Sequence, residues 1–231
     1  MTVTQSCTKI SKDTFDVFKN FATINSNILV KPGNVVRTVS PVKNVMAEAT
    51  ISETFDTQFG IWDLNKFLGT VSLFTDPEFY FEDNKVVIQG KNGASVVYYY
   101  AEPRLLTTID KEIKMPEVVV NFTLTNSGLN EIQKAASVLQ LPDLAVRSNN
   151  TGTIELVALD KKDPSSNIYS LEVGDNETAA EFDFYFKVEN IKVLPGDYDV
   201  SVTEKIVSQF EHNTKDLNYW IALESDSRHN R

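Results

Sequence analysis

The stretch Ser11–Ile24, SKDTFDVFKNFATI, decides the fold of the first half of the chain. At 100° per residue its apolar side chains fall on one broad arc and its polar side chains on another. Ser11 is a favourable cap because its hydroxyl accepts from an early unpaired backbone N–H. We therefore predict an amphipathic helix from Ser11 to about Ile24. Its buried face comprises Phe15, Val17, Phe18, Phe21, Ala22 and Ile24, and its exposed face Lys12, Asp16, Lys19 and Thr23.

Short segments rich in β-branched and aromatic residues follow this helix, and each predicts a strand. A second short helix is predicted from Asp63 to Leu73, where Leu64, Phe67, Leu68 and Val71 recur at helical spacing. The strands predicted in this half are 28–30, 35–39, 45–51, 78–81, 85–90 and 95–101, with a turn at 32–34.

The second half of the chain repeats this order. A strand at 118–124 leads into a predicted helix at 125–139, and a fourth short helix at 189–194 ends at Pro195-Gly196, where proline cannot continue the helix. FDTQF at 55–59 echoes FDFYF at 182–186, each interpreted as a strand entering a short helix. The remaining predicted strands are 144–148, 153–159, 168–173, 181–188, 199–203, 206–211 and 219–223.

These patterns predict an α+β chain of two similar halves, each with two helices and antiparallel strands. The stretch from Glu102 to Glu117 contains Pro103 and Pro116 and is interpreted as a connector. The predicted organisation is an N-terminal extension at 1–10, a first domain at 11–102, a connector at 103–117 and a second domain at 118–231.

The charge balance excludes a conventional basic nucleic-acid binder. The 231 residues carry 22 Lys and Arg against 32 Asp and Glu, a net charge of −10. Residues 1–113 hold 11 basic and 13 acidic side chains, and residues 114–231 hold 11 and 19. A single cysteine excludes a disulfide framework. No stretch approaches the roughly 20 apolar residues of a membrane span, so no membrane association is expected.

Motifs for catalysis are missing from the sequence. The two histidines, His212 and His229, lie near the C-terminus outside any Ser or Cys motif, and no glycine-rich phosphate loop is present. Asp197 and Asp199 flank Tyr198 beside a Pro-Gly turn, which is typical of a solvated loop. We therefore predict a protein that is not an enzyme and holds no metal or cofactor. An enzyme with a dispersed carboxylate site is the alternative.

Four segments resemble the DNA polymerase sliding clamp of T4-like bacteriophages. They are Ser11–Ser26, Ile61–Leu73, Leu194–Tyr198 (LPGDY) and Tyr219–His229 (YWIALESDSRH), and they follow the order of that family. The most specific strings are FATINS at 21–26 and DLN at 63–65 followed by FLG at 67–69.

This resemblance implies the processivity fold: two similar domains per chain, antiparallel sheets outside, four short helices inside, and a homotrimeric ring closed by matching edge strands. It implies that the ring encircles duplex DNA without sequence specificity and tethers the phage DNA polymerase after an ATP-driven clamp loader opens it. Late-transcription factors with host RNA polymerase are further implied partners, in the cytoplasm of the infected bacterium.

The resemblance also assigns candidate site residues. Sliding requires weak contacts with phosphates, for which lysine is suited as a hydrated point charge on a flexible stem. The predicted DNA-binding residues are Lys12, Lys19, Lys66, Lys134, Lys187 and Lys192. The family implies an apolar pocket for partner peptides on the C-terminal half, near the connector and the chain end, and the residues predicted to contribute are Leu105, Ile109, Tyr219, Trp220 and Leu223.

A competing hypothesis is a structural phage protein of the capsid or tail. Such proteins also form rings from duplicated antiparallel β-rich domains. Lysines gathered on inward helix faces favour the clamp, since a shell component has no need of them.

Overall fold

The computed structural model describes residues 7–109, 113–177, 180–204 and 207–230. The chain divides into two compact units, residues 1–111 and 112–231. The narrower domain bounds predicted from the sequence stay predictions, and most of the predicted N-terminal extension lies outside the described residues.

The first unit combines two α-helices with eight strands among the described residues. β1, β6, β7 and β8 form one antiparallel sheet in that order, β3 pairs with β4, and β2 pairs with β5. The elements are β1 (Cys7–Thr8), α1 (Lys12–Ile24), β2 (Ile28–Val30), β3 (Gly33–Val39), β4 (Val45–Phe55), β5 (Phe59–Ile61), α2 (Leu64–Val71), β6 (Glu78–Phe81), β7 (Lys85–Gln89) and β8 (Ser95–Tyr99), followed by a 3₁₀ turn at Pro103–Leu105.

Both helices predicted in this unit are confirmed. The Ser11 hydroxyl accepts from the Thr14 N–H, and Phe18 and Phe21 are buried on the predicted face. α1 packs on α2 and on the hairpin of β3 and β4. The core of the unit is aromatic: Phe55, Phe59 and Phe81 pack with ring centroids 4.9–5.3 Å apart.

The second unit contains one α-helix and nine strands among its described residues. One antiparallel sheet has the order β12, β11, β10, β13, β17, and β16, β15, β14 and β9 follow one another in a second. The elements are β9 (Val118–Leu124), α3 (Asn126–Leu139), β10 (Asp143–Ser148), β11 (Thr153–Leu159), β12 (Tyr169–Asp175), β13 (Glu181–Lys187), a 3₁₀ turn at Val188–Asn190, β14 (Tyr198–Thr203), β15 (Val207–His212), β16 (Leu217–Ala222) and β17 (Arg228–Asn230).

Helix α3 packs against β11 and β12 of the first of these sheets. Phe182, Phe184 and Phe186 alternate along β13 and are all buried. In the register, Leu144 lies opposite Phe186, and Leu144 lines an apolar dimple together with Ile132 of α3. Because successive side chains of a strand point to opposite faces, these phenylalanines face α3 and Lys187 faces the other side of the sheet.

The prediction of a fourth helix at 189–194 is wrong. Only one 3₁₀ turn forms, at Val188–Asn190, and no side chain caps it. Two backbone groups that follow bond to side chains: Gln133 donates to the Ile191 carbonyl (3.0 Å), and the Leu194 N–H donates to the Tyr219 hydroxyl (3.0 Å). These bonds hold the segment extended, so the described residues contain three α-helices.

The predicted echo between 55–59 and 182–186 is also wrong as a structural equivalence. Residues 182–186 lie within the single strand β13, whereas residues 55–59 end β4, turn, and begin β5. The other predicted strands are present, with ends shifted by a few residues at several of them. The sequence patterns missed β1, β5 and β17, each only two or three residues long.

Candidate nucleic-acid interface

Helix α1 is anchored to β4 by a single carboxylate. Glu53 accepts from the Ser11 N–H (2.5 Å) and from the Thr14 hydroxyl, and the Ser11 hydroxyl lies 3.1 Å from that of Ser52. Burial raises the pKa of Glu53, but these hydrogen bonds together lower it below its usual value. The anchor fixes the helix, which then presents Lys12 and Lys19 to solvent.

Helix α2 is held at its first turn. Asp63 accepts from the Lys66 N–H (2.9 Å), and the Leu64 N–H donates to the Ser26 carbonyl (2.7 Å) just beyond α1. Phe67 is buried on one side of α2, whereas Lys66 is exposed. The two helices of the first unit therefore form a joined layer with three exposed lysines, Lys12, Lys19 and Lys66.

Helix α3 is anchored in the same way as α1, by a carboxylate from outside the helix. Thr125 accepts from the Gly128 N–H (3.1 Å), and Asp197 accepts from the Asn126 N–H (2.6 Å). The Pro-Gly context of Asp197 predicts a solvated loop residue, but the carboxylate in fact holds the first turn of α3. Lys134 is exposed on α3, as predicted for a residue on its outer face.

The exposed helix faces are close to neutral. Lys19 pairs with Asp16 at 3.1 Å, one turn earlier on α1, and its side chain is 63% exposed. Lys12 is followed by Asp13 on α1, and Glu131 accompanies Lys134 on α3. A phosphate backbone near these faces meets several weak attractions offset by nearby carboxylates.

Lys187 lies away from the helices. It pairs at 2.5 Å with Asp143, which is 1% exposed, and it projects from the face of its sheet opposite α3. The carboxylate, which is its hydrogen-bond partner, raises the pKa of Lys187. The fourth helix, near which the sequence placed Lys187, does not form, and the residue takes part in the sheet's own charge pairing. Its DNA-binding role stays a prediction.

Lys192 is exposed and lies beside α3. The side chain of Gln133, on α3, donates to the carbonyl of Ile191, the residue before it. Lys192 therefore lies near α3, although the predicted fourth helix does not form.

Two of the predicted partner-binding residues have no surface to offer a peptide. Tyr219 is 1% exposed and Leu223 is buried. The Tyr219 hydroxyl accepts from the Leu194 N–H, and burial raises the pKa of Tyr219. Both residues belong to the core of the second unit, and their partner-binding role stays a prediction. Trp220, between them in sequence, is half-buried.

Ile109 of the connector lines a shallow hollow of the first unit, whereas Leu105 lies outside its lining. Leu105 is 60% exposed, and Ile109 lines the hollow with Leu29, Val35 and Pro32. The hollow holds its shape because the Thr107 N–H donates to the Asn27 side chain and the Ala101 N–H to the Gly60 carbonyl.

The sequence analysis missed an apolar patch beside β8. Trp62, Val97 and Tyr99 are 59%, 46% and 67% exposed. The unbroken apolar run at 96–100 was the signal for this patch, because a strand with apolar residues on both faces is normally buried on both.

Comparison with known proteins covers both units. Residues 11–106 match the family described as DNA polymerase processivity factor, and residues 121–225 match the family described as gp45 sliding clamp, C terminal. The sliding clamp of Vibrio phage KVP40 is 31% identical over 94% of this chain and 99% of its own length. The sliding clamp of Enterobacteria phage T4 is 31% identical over 96% of this chain and 99% of its own. The chain belongs to the phage sliding clamp family.

Solved structures agree with this clamp at the level of the fold. PCNA from Thermococcus kodakaraensis superposes with a TM-score of 0.68, at 12% identity, over 94% of this chain and 98% of that one. A. fulgidus PCNA, solved with the C-terminal region of FEN-1, gives a TM-score of 0.67 at 14% identity, over 93% of this chain and 96% of that one. The two-unit clamp fold is confirmed, and the capsid or tail hypothesis finds no support.

The part of the clamp that the structure describes contains no cluster of three or more His, Cys, Asp or Glu side chains arranged to hold a metal ion. No helix in this same part is long and apolar enough to cross a membrane.

Proposed function

We propose that this sliding clamp closes around duplex DNA as a homotrimeric ring and tethers the phage DNA polymerase to its template. The observation that carries the proposal is the 31% identity with phage sliding clamps along nearly the whole chain. On this proposal the protein does no chemistry of its own. A clamp loader opens it, and it acts in the cytoplasm of the infected cell.

We assign the contact with DNA to the exposed lysines of α1 and α3 and to Lys192 beside α3. Lys12, Lys19 and Lys134 are exposed. Each lysine that neutralises a phosphate steepens the salt dependence of binding by about 0.9 in log–log slope. The nearly neutral helix faces suit sliding, because a ring held by topology needs only weak attraction.

The ring itself is supported by two open sheet edges in different units. Within the described residues, β8 pairs only with β7 and β12 only with β11. Unpaired edges with exposed apolar side chains seek partners, and a head-to-tail contact between two different surfaces closes into a ring when its rotation divides the full circle. A trimer would have three times the mass of the 26.0 kDa chain.

The test of this function compares circular with linear DNA. The cognate polymerase, the clamp loader and ATP are incubated with primed circular DNA and with the same DNA linearised. We expect the clamp to lengthen products on the circle and to have much less effect on the linear template, whose open ends let a ring slide off. Equal stimulation of both, or none on the circle, would overturn the proposal.

The lysines are tested by a double change, Lys12→Gln with Lys134→Gln. We expect the log–log salt slope of loaded-clamp retention to fall by about 2, following the 0.9 per phosphate contact. Lys162→Gln, an exposed lysine in the turn after β11, is the matched control. An unchanged slope in the double variant would remove these two residues from the DNA surface.

We assign the docking of partner peptides to the connector hollow at Ile109, with the exposed Leu105 and the half-buried Trp220 as further candidates. The polymerase tail is the first expected ligand, and late-transcription factors with host RNA polymerase are a second. A peptide of the polymerase tail, titrated against Leu105→Asp and Ile109→Asp, should bind at least tenfold more weakly, about 1.4 kcal/mol. Leu73→Asp, at a position 73% exposed, is the control. Binding to Ile109→Asp as tight as to the control would exclude the hollow, and the same result for Leu105→Asp would remove Leu105 from the docking surface.

A further inference from the structure

One stripe of α2 and the residue before its cap face the open edge strand β8. Trp62, Lys66 and Thr70, four residues apart, line a surface hollow together with residues 96–101. Phe67 packs edge-on against Tyr98 at 5.1 Å, and the Tyr98 hydroxyl donates to the Asp63 carbonyl (3.3 Å). The charge of Lys66 therefore stands beside the β8 edge, in a hollow lined mainly by aromatic and aliphatic residues.

The open edge of the second unit has the opposite charge beside it. β12 is the outermost strand of its sheet, and the Tyr169 hydroxyl, on β12, donates to the carboxylate of Glu131 on α3. This bond holds the Glu131 carboxylate next to the edge. The same two elements carry exposed apolar side chains: Val138 on α3 is 72% exposed, and Ile168, immediately before β12, is 59% exposed.

The two surfaces thus contain the same kinds of elements but carry opposite charges. Each combines an open edge strand, an adjoining helix and exposed apolar side chains, with a lysine on one and a glutamate on the other. Pairing two β8 edges would bring Lys66 against Lys66, and pairing two β12 edges would bring Glu131 against Glu131. Only the head-to-tail contact of β8 with β12 brings opposite charges together, which is the arrangement that closes a ring.

We propose that Lys66 of one copy forms an ion pair with Glu131 of the neighbouring copy across the β8–β12 junction, in place of the DNA contact predicted from the sequence. The inference rests on the proposed homotrimer and gives it a residue-level register. The occupant of the β8 hollow is a second copy of this chain, and Trp62 becomes covered on assembly.

Charge reversal tests the pair in the full chain without DNA. Sedimentation measures the trimer dissociation for wild type, Lys66→Glu, Glu131→Lys and the double variant. We expect each single reversal to weaken association about tenfold per junction, because an attraction becomes a repulsion between like charges. The double variant should recover most of the loss. Lys12→Glu, an exposed lysine of α1 that does not line the hollow, should assemble as wild type.

Two further variants separate the charge of Glu131 from its hydrogen bond and report on the burial of Trp62. Tyr169→Phe removes the hydroxyl bond that positions Glu131 but keeps its charge, so a smaller loss in Tyr169→Phe than in Glu131→Lys supports the charge pair, and equal losses would assign the effect to the hydrogen bond. Trp62 emission should shift to the blue as the concentration rises through the assembly range, and Trp62→Phe should remove that shift.

The outcomes also distinguish the two proposals. A wild-type chain that stays monomeric at all concentrations would overturn the homotrimer. A stable wild-type trimer that is indifferent to Lys66→Glu, or a double variant no better than the singles, would overturn only the ion pair. If Lys66→Glu leaves the trimer intact and lowers retention on circular DNA, then Lys66 contacts DNA after all.

Discussion

Two segments of this clamp that the sequence patterns treat alike fold differently. Residues 64–71 form the helix α2, whereas residues 188–194 make one 3₁₀ turn and then an extended stretch. α2 begins at Asp63, whose carboxylate caps it, and it buries Leu64, Phe67 and Val71. The second segment has no side-chain cap and ends at Pro195. The apolar pattern therefore predicts burial correctly in both segments, but its prediction of a helix is correct in only one.

The difference lies in what else the backbone can bond to. In α2 the backbone carbonyl and N–H groups form hydrogen bonds with one another. In the second segment the Ile191 carbonyl accepts from Gln133 and Leu194 bonds at both ends, its N–H to Tyr219 and its carbonyl to Tyr198. Backbone groups that already have hydrogen-bond partners do not require a helix to supply them. We infer that α2 depends on packing, and the extended segment on side-chain hydrogen bonds.

The largest expected effect tests the packing of α2. Phe67 is 2% exposed and packs on Tyr98. Phe67→Ala should destabilise the clamp by about 3–5 kcal/mol, as for buried aromatic truncations elsewhere. Urea unfolding measures the loss, and amide exchange should show reduced protection at 64–71. Leu73→Ala, at an exposed position just beyond α2, should change stability by less than about 0.5 kcal/mol. A loss below about 1 kcal/mol in Phe67→Ala would mean that capping, rather than packing, holds α2.

The next effect tests the side-chain bonds of the extended segment. Tyr219→Phe removes only the hydroxyl that accepts from the Leu194 N–H, and it leaves that half-buried group without this partner. We expect a loss of about 1–3 kcal/mol, with faster amide exchange at 191–194. Tyr99→Phe removes a hydroxyl from a side chain that is 67% exposed and should be neutral. Equal stability of the Tyr219 and Tyr99 variants would show that the tyrosine network does not determine the segment's conformation.

The same contrast shows how far the sequence predicts the fold. Helices α1 and α3 were predictable because Ser11 and Thr125 cap an amphipathic pattern that tertiary contacts then reinforce. The conformation of the segment at 188–194 was not predictable, because Tyr198 and Tyr219 are brought to it by the strands β14 and β16 and not by the local sequence. Short edge strands such as β17 failed for a related reason: three residues carry almost no periodicity.

The candidate site divides in the same way. Exposed lysines on predicted helices were predictable from helical spacing, as Lys12 and Lys134 show. Lys187 was not, because its role depends on the strand register that places Asp143 opposite it. The match between the β8 and β12 surfaces was also beyond a sequence pattern, since it joins residues of two units through sheet order.

A smaller effect separates the proline from the side-chain bonds. If Pro195 alone stops a helix at 189–194, Pro195→Ala should increase helicity. We expect no gain by circular dichroism, because the bonds at Ile191 and Leu194 remain. A loss of about 0.4–1 kcal/mol is expected instead, since alanine gives the unfolded chain more freedom than proline. A clear gain in helical signal would reverse our account of this segment.

The smallest expected effect concerns pH and should be confined to the second unit, since both histidines of the chain lie there. His212 is buried against Tyr198, with ring centroids 5.0 Å apart, and its Nδ1 accepts from the Thr214 N–H (3.2 Å). Burial is the main cause that lowers the pKa of His212 below its usual value of 6.5. The folded clamp therefore keeps this ring neutral.

The sign of the pH effect follows from proton binding. Between the lowered pKa and 6.5 the unfolded chain binds more protons at this residue than the folded chain does, so stability falls as pH falls through 6.5. Urea unfolding at pH 7.5 and 5.5 measures the slope. His212→Asn offers an oxygen in place of Nδ1 without titrating, so it should flatten the slope relative to wild type, while the carboxylates affect both proteins alike. The same slope in both proteins would mean that His212 takes up its proton equally in both states, and would place the pH response of the second unit elsewhere.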